Sequence, residues 1–177
     1  MGNKNLYKSK LISPIGELWL LSDGESLKEI SFEHREDFKN YEENDKIKIF
    51  SDTKFLLSKY FAEEKVDFSK LKLSFNVSPF RKTVWEILKT IPYGETMTYG
   101  EIAKIVGQKF GKEKISAQAV GGAVGANLFP IIIPCHRVVG KDRNLTGYSG
   151  GLEKKIKLLE IEGNRLESFK FPKNYKN

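Results

Sequence analysis

The residues of this 177-residue chain most able to do covalent chemistry are Pro134-Cys135-His136-Arg137. Cys135 is the sole cysteine, and a lone cysteine is most often a small buried hydrophobe. This one follows an apolar run, Leu128–Ile133, and stands beside a histidine, an arginine and a cationic loop. A neighbouring base or cation lowers a thiol pKa from about 8.5 towards neutrality, and the thiolate is the nucleophile. Adjacent residues of an extended strand point to opposite faces, so contact between Cys135 and His136 needs a turn or a bridging water, and Pro134 makes a turn credible. A third group must fix the imidazole tautomer; Glu160 and Glu162 on the last helix serve equally by spacing. Arg137 reads as a structural ion-pair partner. Nothing marks an oxyanion hole, which disfavours a cysteine hydrolase.

Several elements must position these groups. Val84, Trp85, Ile87 and Leu88 give Phe80–Thr90 a helical face, which Pro92-Tyr93-Gly94 ends. Thr98 caps a second helix, with Glu101 completing a capping box before Ile102, Ala103, Ile105 and Val106. After a basic loop, Gly107–Lys114, Ser116 opens a third helix, Ala117–Gly125, built almost wholly of Ala, Val and Gly. Helix, loop and small-residue helix resemble a helix-turn-helix. Glycine costs about 1 kcal/mol per helical site relative to alanine. Tight packing inside the domain accounts for such a helix, and so does close approach to a nucleic-acid backbone or minor groove. Leu128–Ile133 reads as a short strand, Gly140–Gly151 as a mobile basic wing with Lys141 and Arg143, and Leu152–Glu162 as an amphipathic helix ended by Gly163.

The first part reads as an antiparallel meander: Tyr7–Ser13, Glu17–Ser22 and Leu27–Phe32, joined by Pro14-Ile15-Gly16 and Asp23-Gly24. A polar stretch without period follows, with His34 as a surface residue. Phe55–Phe61 then fits a short helix capped by Ser51 or Asp52, and Leu71–Val77 a strand or linker. The expected division is 1–78, 79–166 and a flexible tail, 167–177.

Hydrophobic residues make up 40% of the chain, enough for a core. The longest apolar run, Leu128–Pro134, is about a third of a membrane span. No secretory signal appears, so a soluble cytoplasmic protein without membrane partners is expected, at the nucleoid if the cell is prokaryotic. One cysteine excludes an internal disulfide, and with two histidines argues against a metal site. No ATP, flavin or metal motif implies a cofactor. Residues 1–78 hold 13 Lys+Arg against 14 Asp+Glu, and residues 79–177 hold 17 against 9. The excess of +7 therefore lies entirely in the second half, which suggests a polyanion such as nucleic acid.

Pro134-Cys135-His136-Arg137-Val138-Val139, with Ala119-Val120-Gly121-Gly122-Ala123 and Asn127 before it, resembles the methylated-DNA–protein-cysteine methyltransferases. Tyr93-Gly94-Glu95-Thr96-Met97-Thr98-Tyr99, Gly147-Tyr148-Ser149-Gly150-Gly151 and Glu162-Gly163 extend the resemblance over residues 79–166. The first part shares only Ser13-Pro14-Ile15-Gly16 and the strand pattern. The resemblance implies an α+β protein: an N-terminal ribonuclease H-like sheet domain and a C-terminal helix-turn-helix and wing domain carrying the active site. It also implies direct DNA repair. The alkyl group of O6-alkylguanine in double-stranded DNA passes irreversibly to Cys135, from a base flipped out through the minor groove, each monomer acting once.

By the same resemblance, His136 takes the thiol proton through a water, oriented by Glu162, and Tyr99 hydrogen-bonds a ring nitrogen of the base. Asn127 holds the active-site turn. The Val138 carbonyl, Tyr148 and Ser149 read the flipped guanine, and Lys155 lies near the pocket. Thr98, Ala117, Gln118, Ala119, Gly122 and the wing residue Lys141 face DNA. Gln118 stands where the family commonly has an arginine that fills the vacated base position. Glutamine lacks the guanidinium's charge and stacking surface. Weaker DNA affinity or slower flipping is expected from it, offset by Lys109, Lys112 and Lys114. A lesion binder without transfer is disfavoured by the presence of Cys135, and a winged-helix regulator by the side-chain-poor recognition helix.

Overall fold

The computed structural model describes residues 5–173 and 175, and its chain separates into two compact units, Met1–Asn76 and Val77–Asn177. In the first, β1 (Tyr7–Ser13), β2 (Gly16–Ser22) and β3 (Leu27–Ser31) form the expected meander. Gly16 has φ +100°, which the tight β1–β2 turn requires, and Ser13 Oγ donates to its carbonyl. A two-residue β4 (Glu42–Glu43) pairs parallel to β1, completing the order β3-β2-β1-β4. Leu18, Leu20 and Ile30 from the sheet are buried, as are Phe50, Leu57 and Tyr60 of α1 (Lys48–Phe61).

Helix α1 begins one turn earlier than expected, with Ile47 at the N-cap, because Ile49 and Phe50 are needed in the core. The polar stretch buries Phe38 in a 3-10 turn, Glu36–Asn40. His34 is exposed, its ring centroid 4.3 Å from that of Trp19 with the planes inclined at 61°. Among the described residues, Leu71–Val77 forms one bridge, Leu73 to Leu27, and no strand.

In the second unit, Ser78 accepts from the Arg81 N–H and Pro79 occupies the first turn of α2 (Pro79–Lys89). The Thr98–Glu101 capping box opens α3 (Tyr99–Phe110), and Gly111, at φ +61°, closes it. Helix α4 (Ala117–Gly125) starts at Ser116, and α5 (Leu152–Ile161) follows the wing. Trp85 Nε1 donates to the Ala123 carbonyl at 2.9 Å, joining α2 to α4 in the core. The strands β5 (Met97–Thr98) and β6 (Val138–Val139) pair in parallel, setting the start of α3 beside the residues that follow Cys135-His136-Arg137.

Two expectations are corrected. Leu128–Ile133 is a buried turn, with Ile133 N–H donating to the Phe129 carbonyl at 2.8 Å. Its apolar run looks like a strand, yet among the described residues it has no ladder partner. The tail is anchored: Phe169 is buried with Val139, Leu145 and Leu159, and Phe171 and Tyr175 pack on the same cluster. Leu145 N–H donates to the Lys170 carbonyl, and Lys170 N–H to that of Arg143, so the tail also pins the wing. Asn174, Lys176 and Asn177 lie outside the described residues. Among the described residues no helix is long and apolar enough to cross a membrane.

Candidate active site

The turn after α4 is organised around one side chain. Asn127 Oδ1 accepts from the Phe129 N–H at 3.0 Å, and Nδ2 donates to the Ile133 carbonyl at 2.8 Å and to Cys135 Sγ at 3.0 Å. Ile131, 1% exposed, has φ +74°, a strained conformation for a β-branched residue, held by its packing. Pro134 leads into a 3-10 turn, Cys135–Arg137, the turn that bringing Cys135 and His136 together requires. Asn127→Ala removes the acceptor of the buried Phe129 N–H, worth about 1–3 kcal/mol, and one of two donors to the Ile133 carbonyl, which keeps the Cys135 N–H at 2.7 Å. Denaturant unfolding should show a loss of about 1–3 kcal/mol.

His136 Nε2 lies 2.7 Å from Glu162 Oε1. Arg137 reaches the same carboxylate through Nε and Nη2, and donates through Nη1 to the Ile91 carbonyl. The Gly94 N–H donates to Glu162 Oε2 at 3.2 Å. Burial alone would raise the Glu162 carboxyl, but hydrogen bonds and charge from His136 and Arg137 outweigh it and hold the pKa at about 2. The ionised carboxylate accepts the Nε2–H, leaving the lone pair on Nδ1. Of the two candidate carboxylates, it is Glu162 that meets His136. Glu160, the other candidate, is exposed, 3.9 Å from Lys157.

Gly94 ties a loop to this centre. Its φ is +81°, and a Cβ there would lie 2.9 Å from the Glu162 carbonyl oxygen. Gly94→Ala combines positive-φ strain with a backbone clash. A thermal melt should show about 1–3 kcal/mol lost.

Cys135 is 3% exposed. Burial raises its thiol pKa, more than hydrogen bonds from Asn127 and Tyr148 and the nearby Lys155 charge lower it. The lowered thiol pKa expected from neighbouring cations is therefore reversed, because desolvation outweighs them. Burial likewise lowers His136, favouring the neutral imidazole against the opposing effect of Glu162. The wholly buried Lys155 is lowered to about 8, mainly by desolvation, and donates to the carbonyls of Val138 at 2.6 Å and Thr146 at 3.3 Å. The Val138 carbonyl expected to read the base is already engaged by this ammonium, leaving it one lone pair.

A cavity of about 50 Å³ adjoins the sulfur, lined by Tyr99, Gly121, Val124, Gly125, Gly147, Tyr148 and Ser149. Tyr99 and Gly121 also line a wider groove of about 500 Å³ with Thr98, Ala117, Lys141 and Thr146. Thr146 Oγ1 donates to the Tyr99 hydroxyl at 3.2 Å, leaving the phenol's own proton directed elsewhere; no sequence motif marks Thr146. Ala117, Gln118, Ala119 and Gly122 are exposed on α4, and Lys141 on the wing. The fold therefore brings Cys135, His136, Glu162, Asn127, Tyr99, Tyr148, Ser149 and Lys155 together, with Ala117 and Gly121 of α4 lining the adjoining groove, while Gln118, Ala119 and Gly122 are exposed on α4 outside both linings.

Two family models match the chain: the 6-O-methylguanine DNA methyltransferase DNA binding domain over residues 79–164, and the ribonuclease-like domain of the same family over residues 6–75. A methylated-DNA–protein-cysteine methyltransferase of Haemophilus influenzae is 42% identical over 159 residues, spanning 89% of this chain and 86% of its own. One from Methanosarcina acetivorans is 41% identical over 162 residues, spanning 89% and 99%. Among solved structures, Mycobacterium tuberculosis OGT in complex with DNA superposes with a TM-score of 0.78 at 36% identity, covering 93% of this chain and 95% of that one.

Proposed function

The chain belongs to the methylated-DNA–protein-cysteine methyltransferase family, and from that premise we propose that Cys135 is the alkyl-accepting residue of a single-turnover DNA repair reaction. The substrate is O6-alkylguanine in double-stranded DNA, approached from the minor groove and flipped towards the sulfur. The protein acts as a monomer in the cytoplasm, at the nucleoid if the cell is prokaryotic. The observation that carries the assignment of roles is the Asn127–Cys135 and His136–Glu162–Arg137 bonding around one buried sulfur.

The sulfur lone pair forms a bond to the alkyl carbon as the bond from that carbon to guanine O6 breaks. The thiol proton passes to His136 Nδ1 by way of a water. A Glu162-held imidazolium is stabilised as it forms, since its Nε2–H points at an ionised carboxylate. Tyr99 keeps its phenolic proton, because burial raises its pKa, and aims a hydrogen bond at a ring nitrogen of the departing base. The proton count closes when the proton taken from the thiol is returned to the guanine. Lys155, charged below about pH 8, favours the thiolate during the transfer.

A duplex carrying O6-methylguanine, incubated with the protein, should leave one methyl mass on Cys135 and restored guanine, with no turnover beyond one equivalent. Binding without mass gain would overturn this reading, and Cys135→Ser should bind without gaining mass. Gln118, exposed on α4, is offered to the space the flipped nucleotide leaves. Gln118→Arg should tighten lesion binding and speed transfer by about three- to tenfold, through added charge and stacking surface. Single-turnover rates at varied protein concentration read both effects.

A further inference from the structure

We infer that a groove between α3 and the loop before α4 is a second anchoring site, holding a phosphodiester of the same DNA away from the lesion. The inference rests on the DNA-repair reading. The groove has a volume of about 640 Å³, with Gly100, Ala103 and Gly107 of α3 among its lining residues and Lys104, Lys112 and Lys114 supplying the ammonium groups.

The loop's fold is specific. After Gly111 the chain turns back, and Lys112 N–H donates to the Gly107 carbonyl at 2.9 Å. A Cβ at Gly107 would lie 2.8 Å from the Lys112 carbonyl oxygen, so only glycine admits this approach. Among the described residues, none of the three lysines has a carboxylate partner, whereas in the first unit Lys10, Lys48, Lys54 and Lys59 are each ion-paired. Glu101, the nearest acidic residue in sequence to Lys104, is occupied in the capping box. Glu113, which also lines the groove, leaves a surplus of two positive charges. The groove also continues into the DNA-facing groove beside Cys135: Gly100 and Ala117 line both. A strand crossing these two residues brings its backbone to the ammonium groups. Such contacts are independent of sequence and salt-sensitive.

The test compares wild type with Lys104→Gln/Lys112→Gln/Lys114→Gln on an undamaged duplex across a salt series. The slope of log affinity against log salt should become shallower by about one, the value for one neutralised phosphate, and affinity near 0.1 M salt should fall roughly tenfold. Transfer from O6-methylguanine supplied as the free base should be unchanged. Gly107→Ala, which keeps every charge but displaces the loop, should also weaken duplex binding. Affinity and slope equal to wild type in the triple variant overturn the inference. That outcome leaves the role of Cys135 standing, which fails instead if wild type gains no methyl from the lesion.

Discussion

Glu162→Gln should cost the protein about 3–5 kcal/mol of stability and slow methyl transfer by about 10²- to 10⁴-fold. The glutamine oxygen can still accept from His136, so the stability loss comes mainly from Arg137, which keeps its charge in a buried site and loses its carboxylate. The rate loss comes from His136, whose imidazolium no longer faces an anion. Wild-type stability also gains an acid signature from this residue. Its folded pKa of about 2 lies below the ordinary 4.5, so its contribution is complete above pH 4.5 and is lost as pH falls through 2. Unfolding curves between pH 2 and 7 should show wild type losing more stability than the variant over that window. Parallel curves would remove Glu162 from this role.

His136→Ala should bind the lesion with near wild-type affinity and transfer about 10²- to 10⁴-fold more slowly at pH 7. The form of the pH profile separates a lost base from a disturbed fold. In wild type the rate follows the fraction of neutral His136, whose pKa is lowered by burial, so the acid limb should have its midpoint below 6.5. In the variant only pre-ionised thiolate reacts, and burial holds the thiol pKa above its ordinary value. The rate should then climb about tenfold per pH unit through the neutral range. A wild-type profile in the variant would exclude His136 as the base.

Much of the scaffold is legible in the chain because its signals are local. Ser78-Pro79, the Thr98–Glu101 box and Ser116 each satisfy their own helix N-terminus, and each helix begins where those residues place it. The segment after α4 is not legible in this way. A short buried apolar run has the same composition in a strand and in a turn, and the deciding bonds come from the Asn127 side chain. The choice between Glu160 and Glu162 likewise depends on where α5 ends against His136. The direction of the thiol pKa escapes sequence reading altogether. Cationic neighbours are visible in the chain, but the desolvation that outweighs them is a property of packing. Phe169, Phe171 and Tyr175 look like isolated apolar residues in a polar tail until the cluster they join is assembled.

Ile131, forced to positive φ among buried neighbours, bears on how a reagent used only once is built. An enzyme that cycles must loosen its grip after every event, and a locked nucleophile segment would hinder its recovery. A protein consumed by its own reaction faces no such demand. Its reactive segment can stay wound tight from folding until alkylation, and the conformational tension at Ile131 never has to be restored.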